Sequence, residues 1–146
     1  MVKLCEPKIS GAYWVNRITY KCKKCGNVFE IIFENGNELV KFEEINGNEV
    51  RWLPTYDKGG YLDLMTKLIG YSSGDEITMA KTKAFIQELN KHCEHGKTGN
   101  GFDLSTTKFE CPSCKSKDKE TLKEDVLTNP KLPWLQISCD LIMEDQ

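Results

Sequence analysis

The 146-residue sequence has no run approaching the roughly 18 consecutive apolar residues of a membrane helix. Met1 to Ser10 has no apolar core of the secretory type. Together these absences give the expectation of a soluble, cytoplasmic protein with no membrane partner. The Gly-rich phosphate loop, the G-x-S-x-G elbow and the H-E-x-x-H helix are also missing, so the commonest catalytic frameworks have no footing. Lys58-Gly59-Gly60 and Gly99-Asn100-Gly101 read as turns. Histidine is scarce, with two residues, His92 and His95. Charge of one sign is lacking too: 20 Lys and Arg face 22 Asp and Glu, for a net −2. That balance argues against a chain wholly dedicated to nucleic acid while leaving room for a local basic patch. No internal repeat or low-complexity segment is present.

What is there is an ordinary globular composition, 39% hydrophobic and 10% aromatic, read as one domain over 1–146. A chain of this length buries roughly 68 to 70% of its unfolded surface, so its core does not depend on disulfides. The seven cysteines therefore require another explanation.

Four segments rich in β-branched and aromatic residues, Ala12 to Tyr20, Val28 to Phe33, Glu38 to Glu43 and Glu49 to Leu53, predict an antiparallel meander. Asn35-Gly36-Asn37 and Asn46-Gly47-Asn48 supply turns between the later strands. After Pro54 the period changes. Leu62, Met65, Leu68 and Ile69, ended by Gly70, predict a helix over Tyr61 to Ile69. Ser73-Gly74-Asp75 reads as the cap of a longer helix that places Ile77, Ala80, Ala84, Phe85, Leu89 and Cys93 on one stripe, with Gly96 as its stop. Phe102 to Phe109 predicts a strand, Lys115 to Asp125 is too charged to assign, and Trp134 to Met143 reads as a buried final strand.

Cys22-Lys23-Lys24-Cys25-Gly26 and Cys111-Pro112-Ser113-Cys114 share the C-x-x-C spacing with which one tight turn presents two thiolates to one ion. Gly26 suits the left-handed conformation that closes such a turn, and Pro112 fixes φ inside the other. Lys115 stands where Gly26 stands in the first pair. With these two knuckles the sequence resembles the zinc-ribbon class, over residues near 18–34 and 106–118. The resemblance implies knuckles at the ends of short hairpins and one Zn2+ held by Cys22, Cys25, Cys111 and Cys114. Four thiolates saturate tetrahedral zinc, so the implied role is structural. The 85 residues from Gly26 to Glu110 then form an insertion with its own elements, tolerable because loop-closure entropy grows only logarithmically. The expected architecture is α+β: an antiparallel meander with two helices inserted between the halves of a zinc-ribbon-like site, ribbon parts about 12–34 and 102–120, insertion about 35–101.

A disulfide framework is disfavoured by chain length, the missing secretory signal and the odd cysteine count. A thioredoxin-like pair is disfavoured because Cys25 is followed by a strand pattern rather than a helix. Cys5 and Cys139 are most simply buried free thiols. His92-Cys93-Glu94 formally matches the H-x-E element of zinc deaminases, with Glu94 as proton shuttle, but Glu110 rather than proline precedes Cys111 and the match leaves Cys22 and Cys25 unused. Cys93 reads more simply as a small core residue, with His92 and His95 near a helix C-terminus.

Arg17, Lys21, Lys23 and Lys24 make the first knuckle basic, and five lysines against three acids make 108–123 basic; joined at one metal they sum to +6. Glu30 to Gly60 sums to −4. The leading expectation is a non-enzymatic zinc protein that acts as a protein-interaction module, inhibitor or immunity-like, presenting its acidic meander to a partner. The alternative is a nucleic-acid-binding ribbon, with Arg17, Lys21, Lys23 and Lys24 on phosphates and Tyr13, Trp14 and Tyr20 stacking bases. A zinc hydrolase or deaminase using His92 and Glu94 comes last.

Overall fold

Alternation of apolar and polar residues after Ala12 builds the first long strand. In the computed structural model, which describes residues 3–142, β1 (Leu4–Cys5) precedes β2 (Trp14–Cys22), and the Cys22 turn returns the chain as β3 (Val28–Glu34). Then come β4 (Leu39–Glu44), β5 (Val50–Pro54), α1 (Tyr61–Ile69), α2 (Met79–Leu89), β6 (Phe102–Leu104), β7 (Lys119–Thr128), β8 (Ile137–Ser138) and α3 (Cys139–Ile142). The class is α+β with antiparallel sheets, and α1 and α2 lie between β5 and β6. No helix among the described residues is long and apolar enough to cross a membrane.

The strands do not form one meander. Contacts divide the chain into two compact units, one of residues 3–11, 37–105 and 132–142, the other of Ala12–Gly36 and Thr106–Lys131. The second is a three-stranded sheet in the order β3-β2-β7, and the first carries a sheet in the order β5-β4-β6. Asn35-Gly36-Asn37 is therefore not a hairpin turn but the passage from one unit to the other. Asn46-Gly47-Asn48 does close a hairpin, with Leu39 opposite Pro54 and Glu43 opposite Val50.

In the larger unit, α1 and α2 bury Tyr61, Leu64, Met65, Phe85, Ile86 and Leu89 against Phe42, Leu53 and Phe102. Tyr61 and Phe85 meet edge-on, with ring centroids 5.2 Å apart, the arrangement aromatic quadrupoles prefer. α1 begins after Gly60, where a Cβ would lie 2.3 Å from the Pro54 carbonyl oxygen, and ends at left-handed Gly70. α2 differs from expectation at both ends. Its cap is Thr78, whose Oγ1 accepts from Lys81 N at 3.1 Å, rather than Ser73-Gly74-Asp75, and it stops at Leu89, not near Gly96. Asn90 explains the early stop: its amide donates to the Ile86 and Phe102 carbonyls and accepts from Phe102 N, which ties the helix end to β6. β6 covers only the first three residues of the strand expected over Phe102 to Phe109.

Glu44 is a buried carboxylate in this unit. It accepts from Thr98 N at 2.7 Å and Glu49 N at 3.2 Å. The Thr98 amide above all, against an opposing effect of desolvation, holds its pKa below the usual carboxylate range. A depressed folded pKa means that the stabilisation is present at neutral pH and is lost as pH falls through the folded value, below the usual ~4.3 of an unfolded glutamate. Glu44→Gln should therefore lower the thermal midpoint at pH 7 and narrow the gap to wild type as pH approaches 3, read by circular dichroism across pH.

The C-terminal segment corrects two expectations. Trp134 to Met143 is not one strand: Trp134 bridges Trp52, Ile137–Ser138 pairs with β1, and the chain turns into α3 at Cys139, while Met143 lies outside the described residues. Leu135 N donating to Trp52 O and Ser138 N donating to His92 O anchor two faces of the segment, which prevents a straight run. Nor are Cys5 and Cys139 free. β1 pairs antiparallel with β8, the Cα atoms come within 5.1 Å, and the two cysteines form a disulfide across 134 positions of sequence. Chain length and cysteine parity carry no information about that pairing. Reducing cytosol disfavours such bridges, so the bridge weighs against the cytoplasmic expectation. Thiol titration of the unreduced, denatured and demetallated protein should find five thiols and, after reduction, seven; seven at the outset would refute the bridge. Reduction should also lower unfolding stability by about 2–4 kcal/mol.

Candidate metal centre

The smaller unit owes its centre to two turns with the same backbone. In the first knuckle Gly26 N donates to Cys22 O at 2.9 Å and Cys22 N to Asn27 O at 2.8 Å. In the second, Lys115 N donates to Cys111 O at 2.8 Å and Cys111 N to Ser116 O at 2.9 Å. Each closes on a left-handed residue, Gly26 at φ 79° and Lys115 at φ 65°. The lysine thus adopts the conformation that glycine takes in the first knuckle, at the steric cost of its Cβ.

The first knuckle terminates the β2–β3 hairpin, whose register sets Tyr20 opposite Phe29 and Ile18 opposite Ile31. The second precedes β7, which runs antiparallel to β2 and places Lys119 opposite Cys22. Lys23 N donates to Asp118 O at 2.9 Å and links the knuckles directly. β7 occupies Lys119–Thr128, which overlaps the stretch too charged to assign from sequence: Glu120, Lys123 and Glu124 are exposed and Lys119 and Asp125 half-buried, so pairing with β2 rather than apolar alternation makes it a strand.

Cys22, Cys25, Cys111 and Cys114 converge, with their four sulfurs within 4.8 Å of one another. Cys22 Sγ lies 3.5 Å from Cys114 Sγ, and Cys25 Sγ 3.6 Å from Cys111 Sγ. A tetrahedral zinc site with bonds of about 2.3 Å has sulfurs about 3.8 Å apart, so the donor set and its spacing fit one metal ion, zinc best among common ions. Among the described residues this is the one group of three or more metal-ligating side chains so arranged. Cys22 and Cys111 are buried against Tyr20, Phe29 and Ile31, while Cys25 faces solvent.

Hydrogen bonds lower the thiols of Cys22 and Cys111. Desolvation pushes the Cys111 thiol up, but the amides of Cys114 and Ser113, with Cys25 and Asn27, outweigh it and bring it down to about 6. The Cys25 amide is the first cause of a lowered Cys22. Cys25 itself, although the Asn27 amide favours its thiolate, is pushed up to about 12 by desolvation and the neighbouring thiols. Asn27 Nδ2 donates to Cys111 Sγ at 3.7 Å, a supporting role the sequence analysis missed. A polar amide just past C-x-x-C-G was the available signal.

The remaining candidate residues are placed elsewhere or are otherwise engaged. His92, Glu94 and His95 belong to the other unit. Glu94 accepts from Arg51 Nε at 3.2 Å and from Gln136 N at 2.8 Å, and His95 Nε2 lies 2.6 Å from Asn90 O. Cys93 is buried in the core, and desolvation first, then the Glu94 charge, pushes its thiol up to about 12, so it stays protonated. Arg17 is held by Asp125 at 2.8 Å, whereas Lys21, Lys23 and Lys24 are exposed. Tyr20 is buried under the Lys119 ammonium, 5.0 Å from its ring centroid. Tyr13 donates to Pro130 O, and Trp14 begins β2, at the end opposite the knuckle.

No family model, no curated protein and no solved structure matches this chain.

The two left-handed positions give a paired prediction. Space beside Gly26 is open, so Gly26→Ala introduces backbone strain alone and should destabilise by about 1–2 kcal/mol. Lys115→Gly should relieve strain at the matching position and stabilise by up to about 1 kcal/mol, both read by chemical denaturation of the metal-loaded protein.

Proposed function

We propose that this protein is a non-enzymatic binding module whose smaller unit is held together by a structural zinc ion and whose partner is another protein. One observation carries the reading: all four coordination positions of a tetrahedral ion are supplied by cysteine sulfur from the two knuckles. A saturated ion has no position for a substrate or an activated water, which is the arrangement of structural rather than catalytic zinc. Glu94, the residue a deaminase mechanism would need, already serves Arg51 and the backbone of Gln136.

A protein partner is supported by the edge of the smaller unit. Among the described residues β7 pairs on one side only, with β2, and none of its ten residues is buried. Leu122 and Val126 are exposed there at 50% and 58%. Exposed strand edges with apolar side chains are a recurring mode of protein recognition. The acidic meander is a weaker docking surface than its composition suggests, because Glu44 is buried, Glu49 lies 3.4 Å from Arg51, and Asp57 accepts from Ser10.

A second reading, nucleic-acid binding, draws on the joining of the basic segments through Lys23 and Asp118. It is less well supported because the aromatics expected to stack bases do not accompany those lysines. Tyr20 is buried, and Trp14 lies about 26 Å along β2 from Cys22.

Zinc-edge X-ray absorption on protein purified without added metal should show four sulfurs near about 2.3 Å. A shell containing nitrogen or oxygen would overturn the structural reading. Cys22→Ser should lose the metal and unfold the smaller unit, since metal binding and folding are coupled by roughly 10 kcal/mol; retention of native amide dispersion by that variant would count equally against the reading.

A further inference from the structure

Beside the second knuckle, Thr107, Lys108, Phe109, Glu110, Lys117 and Lys119 line an open cleft of about 590 Å³. Every lining residue belongs to the smaller unit. Three ammonium groups face one carboxylate, so the cleft is cationic, and Lys108 and Lys117 are exposed. Lys119 is shared: it lines the cleft, covers the Tyr20 ring and is the first residue of β7. Lys119 thus links the cleft, which lies over the face of the sheet beside Tyr20, to the start of β7. Phe109 lies with its ring 5.3 Å from that of Phe33 at an interplanar angle of 77°, giving the cleft an apolar wall.

The edge itself is guarded. Lys123 lies opposite Thr19 and Thr121 opposite Tyr20, so Leu122 has no partner across the ladder and forms a bulge. Bulges and lysines discourage indiscriminate pairing of edge strands. A partner strand must then bring compensating charge, and the cationic cleft sets where that charge falls. Farther along, the exposed Glu120 and Glu124 disfavour an acidic neighbour, and Lys123 and Asp125 are paired with each other, Asp125 also with Arg17. Only the Lys119 end suits one. Among the described residues the named strands of both three-stranded sheets pair antiparallel, while Trp134 bridges Trp52 in parallel, and antiparallel addition to β7 brings the C-terminal end of an added strand to Lys119.

We propose that the outer edge of β7 and the adjoining lysine cleft form a docking site for an extended protein segment with an acidic C-terminal end, which adds as an antiparallel strand and places its carboxylates against Lys108, Lys117 and Lys119. The inference rests on the reading of the protein as a protein-binding module and names the kind of partner.

The test uses the full, metal-loaded chain and a synthetic peptide of about nine residues, alternating Thr and Val and ending in three glutamates, a length that matches β7. Three further probes are a peptide with the glutamates at its N-terminus, one ending in three lysines, and an oligothymidylate. The expected result is binding of the first peptide, weakened as salt rises from about 50 to about 200 mM, with new protection of β7 amides between Glu120 and Thr128. Lys108→Glu combined with Lys117→Glu should weaken it at least about tenfold. Lys83→Glu combined with Lys97→Glu, the same charge change on the larger unit, should leave it unchanged. Equal binding of the reversed or the lysine-ended peptide overturns the proposal, as do amide shifts confined to other strands. Oligothymidylate binding in place of the peptide overturns it in favour of nucleic acid. No binding to any probe by protein with an intact four-sulfur zinc shell overturns the docking inference alone; a failed zinc shell overturns the broader reading.

Discussion

The convergence of Cys22 and Cys25 with Cys111 and Cys114 is the contact on which the smaller unit depends. Its buried apolar core is small, with Tyr20, Phe29 and Ile31 beside the two buried cysteines. Such a core supplies little stabilisation for two segments that lie 69 residues apart in the chain between Gly36 and Thr106. A metal held by these four thiolates would contribute free energy where apolar area is scarce, at the point where β2 meets the approach to β7. The lysines around the knuckles would then have a first role that is local, because four thiolates on a divalent ion leave two negative charges in excess.

The larger unit solves the same closure problem by different means. Its three segments come from the start, middle and end of the chain, and the Cys5–Cys139 bridge joins the outer two. Inside, an apolar core built on α1, α2 and the β4–β5 hairpin does what a metal would do in the other unit. Polar groups that might have been chemical instead hold the frame. Glu94 fastens Arg51 to the last segment, Glu44 ties the β4–β5 turn to the Thr98 loop, and Asn90 ends α2 while pairing with β6. The His92 to His95 segment, conspicuous in sequence, is spent on these connections.

Charge distribution follows the division. The smaller unit carries ten basic residues against seven acids, and the described residues of the larger one ten against thirteen. The basic excess is open at the knuckles and the adjoining cleft, while part of the acidic excess is consumed by internal bonds.

What the sequence by itself determined was local. The C-x-x-C spacings, Gly26, the helical period of Leu62 to Ile69 and the turn at Asn46 to Asn48 each act within a few residues, and each has the predicted form in the structure. The metal ligands were legible because two thiolates on one turn need a fixed spacing wherever the turn sits. Only tertiary structure decided the rest. Whether β3 pairs with β4 depends on which sheet each joins, so one expected meander became two hairpins in two sheets. β7 shows no apolar alternation and is a strand because β2 lies beside it. Cys5 and Cys139 look like isolated thiols until β1 and β8 pair across 134 positions. These outcomes rest on contacts between residues far apart in sequence, and no periodicity within a segment records the partner that a segment will meet.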